Sequence, residues 1–116
     1  MYNANGSYST NKAMLLSTVY RCVDVISDSV AQLPLEPYFI DKSGYKTKHV
    51  DHPTYYLLNR EPNKVMSRFT FIKTLLVSVL LRGNGYAYIE RDSRGNATAL
   101  HYLDPDFVTI VDKPKL

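Results

Sequence analysis

Apolar residues recur every three or four positions between residues 69 and 81, the spacing that places them on one face of an α-helix. Ser67 precedes this run and can cap its first turn, while Arg82 suits the negative end of the helix dipole. Either glycine of Gly83-Asn84-Gly85, or Asn84 itself, can take the positive φ angle that ends a helix. The apolar positions include Phe69, Ile72, Leu75, Leu76, Val79 and Leu80. We expect this central helix to be buried, with the rest of the chain packed against it.

An earlier amphipathic run predicts a long N-terminal helix that covers the core from one side. Its apolar face contains Val19, Val23, Ile26, Val30 and Leu33, and is widened by Leu15, Leu16 and Cys22. Polar residues, among them Arg21 and Asp24, lie on the opposite face. Because a residue before proline is disfavoured in helical geometry, Pro34 predicts that the helix ends at Leu33.

Strand-like runs separated by turn residues predict two antiparallel hairpins. The first pairs residues 35–40 with 45–50, and the second pairs 86–91 with 97–103. Pro37 cannot donate to a strand ladder, so the run at 35–40 is expected at a sheet edge.

Two further elements complete the predicted fold. A short helix over residues 54–59 follows Asp51 or His52 as its cap, with Pro53 in its first turn. Residues 107–111 alternate between apolar and polar side chains and predict another strand. Together these elements predict an α+β fold, with a long N-terminal helix and a buried central helix packed against short antiparallel β-hairpins.

The pattern divides the chain into three parts. Residues 1–12 are expected to form a flexible lead-in, and residues 13–111 a single α+β module. Residues 112–116 are too short for another element, which suggests a longer protein cut at this point.

Composition and charge favour a folded, soluble protein without indicating a ligand. Hydrophobic residues make up 45% of the 116 positions and charged residues 22%, and the formal charge is +3. This mild charge permits nucleic-acid contact but does not indicate it. The single cysteine, Cys22, excludes an intramolecular disulfide and fits a reducing compartment. No secretory signal is visible, and the apolar run at 69–81 is shorter than the roughly 20 residues of a membrane span.

Candidate chemistry is sparse, and no catalytic, cofactor-binding or metal-binding residue is predicted. His49 and His52 lack further ligands for zinc, and Cys22 is expected to be a packed thiol. Asp104 and Asp106 flank Pro105, where carboxylates are turn residues as readily as a catalytic pair.

One strand combines aromatic and basic side chains and leaves two interpretations open. Tyr45, Lys46, Lys48 and His49 are typical of a small nucleic-acid-binding module that stacks bases on its strands. An edge strand uses lysine in the same way to discourage aggregation, and we favour that interpretation.

Several short motifs in one order resemble tailed-bacteriophage portal proteins, the head-to-tail connectors of the capsid. The similar segments are residues 19–35, Asp51-His52-Pro53, Glu61-Pro62-Asn63, Phe69-Thr70-Phe71, residues 81–91 and Leu103-Asp104-Pro105. Gly85 stands where that family often has alanine, which affects local packing only.

The resemblance implies an N-terminal, wing-region part of a portal subunit, without catalysis or cofactor. Such subunits form a ring, usually dodecameric, at one capsid vertex, and their partners are the terminase motor, the capsid, tail-connector proteins and double-stranded DNA. The implied location is the virion, with assembly in the host cytoplasm and no membrane contact.

Exposed strand edges predict self-association of the isolated chain. Tyr38 and Ile40 lie on the predicted edge strand, and Val108 and Ile110 on the predicted last strand. We expect association through one of these two strands.

Overall fold

A computed structural model describes residues 10–114, which form three helices and two antiparallel sheets. The helices are α1 (Thr10–Ala31), α2 (Pro53–Asn59) and α3 (Arg68–Arg82). The strands are β1 (Tyr38–Ile40), β2 (Lys46–Lys48), β3 (Tyr86–Arg91) and β4 (Ala97–Leu103), followed by a 3₁₀ turn at Pro105–Phe107. The predicted α+β class is confirmed.

The start of α1 differs from the predicted division of the chain. Residues 1–9 of the expected lead-in lie outside the described residues. α1 already includes Thr10, before the predicted boundary at residue 13. No proline or glycine lies between Thr10 and the apolar run, so nothing in this polar stretch prevents the helix from extending.

The ends of α3 are set by the residues that the sequence indicated. Ser67 Oγ accepts a hydrogen bond from the Thr70 amide, 3.3 Å away, and Ser67 itself has extended geometry. Gly83 adopts a φ of 82° and donates its amide to the Val79 carbonyl at 2.9 Å. Among the three candidates, Gly83 is therefore the residue that ends the helix.

Burial of α3 is lower than predicted. Phe71 and Ser78 are its buried residues, while Phe69, Val79 and Leu80 are about two-fifths exposed. The helix is contacted by α1, α2 and β4, and these elements leave part of its apolar surface uncovered. The prediction of a buried central helix is correct for part of its circumference only.

α1 packs on α3 through a narrow stripe of small side chains. Val23, Ser27 and Ala31, four residues apart, are its buried positions. The contact is reinforced by Lys73, whose ammonium lies 2.7 Å from Asp28 Oδ1 and 3.7 Å from Asp24 Oδ1. The hydrogen bond from Lys73 to Asp28 raises the pKa of the lysine, with smaller contributions from the nearby negative charges.

The two hairpins form separate two-stranded sheets. β3 and β4 pair from Tyr86 opposite Leu103 onward, with an irregularity in the register between Glu90 and Arg91. β1 and β2 contain three residues each and are shorter than the runs at 35–40 and 45–50. Both hairpins confirm the predicted pairing of neighbouring runs.

The predicted strand at residues 107–111 is wrong. Asp104 Oδ1 accepts the Asp106 amide at 3.0 Å, and Pro105 begins a 3₁₀ turn that ends at Phe107. Arg82 holds this turn through contacts of 2.7 Å to Asp104 and 2.9 Å to Asp106. Residues 108–114 then continue without helix or strand geometry, because no neighbouring strand among residues 10–114 pairs with them.

Candidate assembly surfaces

The β1–β2 hairpin forms an arm, residues 36–49, whose strands are exposed on both faces. All six strand residues lie in the exposed class, and Tyr38 and Ile40 retain 52% and 59% of their accessible surface. The arm is held at its base, where Asn59 Nδ2 donates to the Leu35 carbonyl. A two-stranded hairpin is marginally stable by itself, so this arm is a candidate surface for a partner.

Polar contacts within the arm stabilise its shape. Lys48 Nζ lies 3.0 Å from Glu36 Oε1, and this hydrogen-bonded pair raises the pKa of Lys48. In the turn, Asp41 Oδ1 accepts hydrogen bonds from the Ser43 hydroxyl at 2.6 Å and from the Ser43 and Tyr45 amides at 2.9 Å. The Ser43 hydroxyl is the largest cause of the lowered pKa of Asp41, followed by the Tyr45 amide.

The outer edge of β4 is partly covered by the Glu61-Pro62-Asn63 segment. The Leu100 amide donates to the Pro62 carbonyl at 2.8 Å, and Asn63 Nδ2 donates to the Leu100 carbonyl at 2.8 Å. Asn63 Oδ1 also accepts the amides of Val65 and Met66, and Pro62 is fully buried. The segment therefore acts as a clip that joins the loop before α3 to the second sheet.

The other long edge of the second sheet is open. β3 pairs only with β4 among the described strands, and its residues from Ala87 to Arg91 are exposed. Tyr88 retains 58% of its accessible surface although its ring stacks on His101. This edge was not among the predicted association sites. Its signal in the sequence was the same as for residues 35–40, a strand-like run that contains aromatic and branched side chains.

The predicted core face of α1 is divided by the structure. Val23 is buried against α3, but Val19, Ile26, Val30 and Leu33 are between 40% and 58% exposed. Cys22, expected to be a packed thiol, is exposed as well. Val19, Cys22, Ile26 and Val30 share one side of α1, next to the buried positions. α1 ends at Ala31, two residues before the predicted end at Leu33. The prediction is therefore correct about the existence of the helix and wrong about the burial of this face and about the last two residues.

Val108 and Ile110 follow the 3₁₀ turn in irregular chain. Val108 is half-buried, whereas Ile110 is 70% exposed. They belong to no strand, so they offer apolar side chains and not a strand ladder. No strand pairing among the described residues joins Val108 and Ile110 to Tyr38 and Ile40.

The titratable candidates take part in structural contacts. His52 Nδ1 accepts the Thr54 amide at 3.1 Å, which makes His52 the cap of α2 and leaves Asp51 outside that role. Asp104 and Asp106 both bind Arg82. No group of three or more potential metal ligands occurs among residues 10–114.

A cleft of about 610 Å³ lies between the loop before α3 and β4, and several of its polar groups are paired. Tyr56 donates its hydroxyl to Glu61 at 3.0 Å, which raises the pKa of the tyrosine. His101 Nε2 lies 2.9 Å from Glu90 Oε2 across the two strands.

The described helices include none that combines the length and apolarity needed to cross a bilayer.

Polar side chains cap α2 and α3 and join the loop before α3 to β4, while apolar side chains of α1 and the arm remain exposed. These features fit a structural module that assembles with other chains. Comparison with known proteins agrees: a family model described as phage portal protein matches residues 17–116, and the chain belongs to the phage portal protein family. This membership supports a portal-like structural role and confirms the resemblance found in the sequence motifs.

Two curated relatives match most of this chain but only part of their own length. The portal protein of Enterobacteria phage HK97 is 31% identical over 100 residues, which cover 85% of this chain and 24% of that protein. Protein BeeE of Escherichia coli (strain K12) is 32% identical over 100 residues, covering 86% of this chain and 62% of BeeE. The chain thus spans about a quarter of one relative and three-fifths of the other.

Proposed function

We propose that this chain contributes to a portal ring at one capsid vertex, through which double-stranded DNA is packaged and ejected and to which the tail attaches. The ring is usually dodecameric in this family. The observation that supports the proposal is the family match over residues 17–116. Terminase, capsid and tail-connector proteins are the proposed partners, and the proposed location is the virion after assembly in the host cytoplasm.

Within that ring, residues 13–111 would act as one α+β module of the wing region that supports subunit packing. Its polar side chains supply caps, clips and ion pairs, which is the chemistry of a rigid scaffold. We propose that it has no enzymatic activity and uses no cofactor.

Self-association of the chain is supported by the amount of surface it exposes. The radius of gyration is 19.4 Å, against about 13 Å for a compact domain of this length. The accessible surface is 9455 Å², against about 6,500 Å² for a compact monomer of this mass. The excess is comparable with the area that permanent interfaces bury. Tyr38, Ile40, Val108 and Ile110 are the proposed contact residues.

Light scattering across a concentration series tests this association. We expect the average mass of the chain to rise with concentration, and Ile110→Lys to weaken that rise. Thr109→Lys, at the neighbouring polar position, is the matched control. A strictly monomeric chain at every concentration would contradict the self-association.

Electron microscopy of the protein as encoded in its source genome tests the ring. Closed rings with a central channel are expected, and they should retain the large terminase subunit in a pull-down. Open filaments, or particles without a channel, would count against the portal role.

A further inference from the structure

The described residues contain four outward strand edges, and two of them are already protected. β2 carries Lys46 and Lys48 within its three residues, and lysine on an edge discourages pairing with another strand. β4 is covered at its middle by the clip, since Pro62 and Asn63 bond both backbone groups of Leu100. Neither edge is suited to receive a further strand.

The remaining edges belong to β1 and β3, and each contains a segment that can pair with another strand. β1 consists of Tyr38, Phe39 and Ile40, which carry no charge and are all exposed. The pairing of β3 with β4 shifts between Glu90 and Arg91, because Thr98 of β4 has no partner there, and the charges of Glu90 and Arg91 discourage an added strand. The first part of β3, residues 86–89, is uncharged and regular, so it can accept hydrogen bonds from an added strand.

We propose that β1 of one copy adds to the open edge of β3 in the next copy, forming a four-stranded sheet across the subunit boundary. This inference rests on the proposed portal function and specifies the contact between neighbouring subunits. Two marginal two-stranded sheets would become one sheet of sufficient size for stability. Aromatic and branched side chains of β1 would lie beside Tyr88 and Ile89, a favourable cross-strand combination.

A second copy is the occupant because a single chain supplies both complementary edges. β1 and β3 belong to different sheets, so the contact joins two different surfaces. Such a head-to-tail contact repeats from copy to copy and closes into a ring when the rotation permits. The excess of exposed surface, about 3,000 Å² over a compact monomer, leaves room for an interface on each side of the subunit.

Disulfide mapping in a Cys22→Ser background tests the pairing, since Cys22 is the only cysteine of the chain. One preparation carries Tyr88→Cys on β3, and three others carry Tyr38→Cys, Phe39→Cys or Ile40→Cys on β1. Facing residues of adjacent strands lie about 5 Å apart, within the range over which a disulfide forms. The three β1 positions cover every register that places Tyr88 opposite a residue of β1.

We expect a disulfide-linked dimer when the β3 variant is mixed with at least one β1 variant, and none when any variant is oxidised alone. A mixture with Thr47→Cys on β2 is the control and should give no dimer. Dimers from a single variant would show like strands pairing, dimers with Thr47→Cys would place β2 at the contact, and no dimer in any mixture would exclude the contact. Each of these results overturns the inference.

Light scattering on the same samples separates this inference from the proposed function. Association that persists without a mixed disulfide rejects the β1–β3 contact alone. A chain that stays monomeric in every mixture rejects the self-association as well.

Discussion

Arg68 joins three helix ends, and its replacement should be among the most destabilising substitutions of a charged residue in the chain. Its Nε donates to the Leu58 carbonyl at 2.9 Å, and its two terminal nitrogens donate to the carbonyls of Ala31 and Leu33. Arg68 is itself the first residue of α3, where a cation is unfavourable for the helix dipole. The stabilisation that Arg68 provides must therefore come from its bonds to the carbonyls at the ends of α1 and α2. α1 has no basic residue in its own last turn, so Arg68 supplies the positive charge at that end.

The size of the effect follows from the number and type of bonds. A hydrogen bond from a charged donor contributes about 1.5–3 kcal/mol, and three such bonds that share one side chain do not add fully. Arg68 is half-buried, so water can replace part of what is lost. We expect Arg68→Met, which keeps the aliphatic stem, to lower the free energy of unfolding by about 3 kcal/mol.

Urea unfolding followed by far-ultraviolet circular dichroism measures this change at a protein concentration low enough to suppress association. Arg94→Met is the matched control, because Arg94 lies exposed in the turn between β3 and β4. Arg68→Lys should recover only a fraction of the loss, since an ammonium cannot present donors in three fixed directions. A free energy of unfolding for Arg68→Met within about 0.5 kcal/mol of the control would refute the role of Arg68 as the junction.

Three further predictions address α1, the clip and the arm. Val23→Asp should destabilise the fold by about 3 kcal/mol and Ile26→Asp by less than about 1 kcal/mol, because Val23 is buried and Ile26 is exposed. Equal losses of free energy in urea unfolding would contradict the division of the apolar face of α1 into a buried and an exposed part. Asn63→Ala should cost about 2 kcal/mol in the same assay through three lost hydrogen bonds, and an unchanged midpoint would exclude the clip. A titration followed by nuclear magnetic resonance should give Asp41 a pKa below its ordinary value of 3.8, and Ser43→Ala should raise that pKa. The contribution of Asp41 to stability is then present above pH 3.8 and disappears as the pH falls through the lowered pKa. An unshifted titration would be evidence against the turn contacts.

Features fixed by neighbouring residues could be predicted from the sequence. Ser67 and the glycines around Asn84 bracket an apolar run, and both act within one helical turn of the residues they terminate. The β3–β4 hairpin is likewise local, since its two strands are joined by a turn rich in polar residues and Gly95. Backbone geometry of this kind depends on the chain itself and not on what packs against it.

Burial could not be predicted, because spacing shows which side of a helix is apolar but not what covers it. Val23 and Ile26 satisfy the same periodicity, yet one contacts α3 and the other faces outward. The strand prediction at residues 107–111 had a similar weakness: alternation requires a neighbouring strand, and Arg82 instead holds the preceding turn with both carboxylates. Arg68 gave no signal either, since its three acceptors lie ten or more residues away in the sequence.

Several of the motifs that carried the family resemblance contain residues that shape the backbone. His52 caps α2, and Pro53 occupies the first turn of that helix. Asn63 joins a loop to β4, Gly83 ends α3, and Asp104 begins the turn that Arg82 stabilises. Each residue fixes a direction of the chain, so the motif series describes one particular arrangement of helices and strands. This arrangement determines which surfaces the chain presents, and the open edges of β1 and β3 are the surfaces on which the proposed contact between copies can be measured.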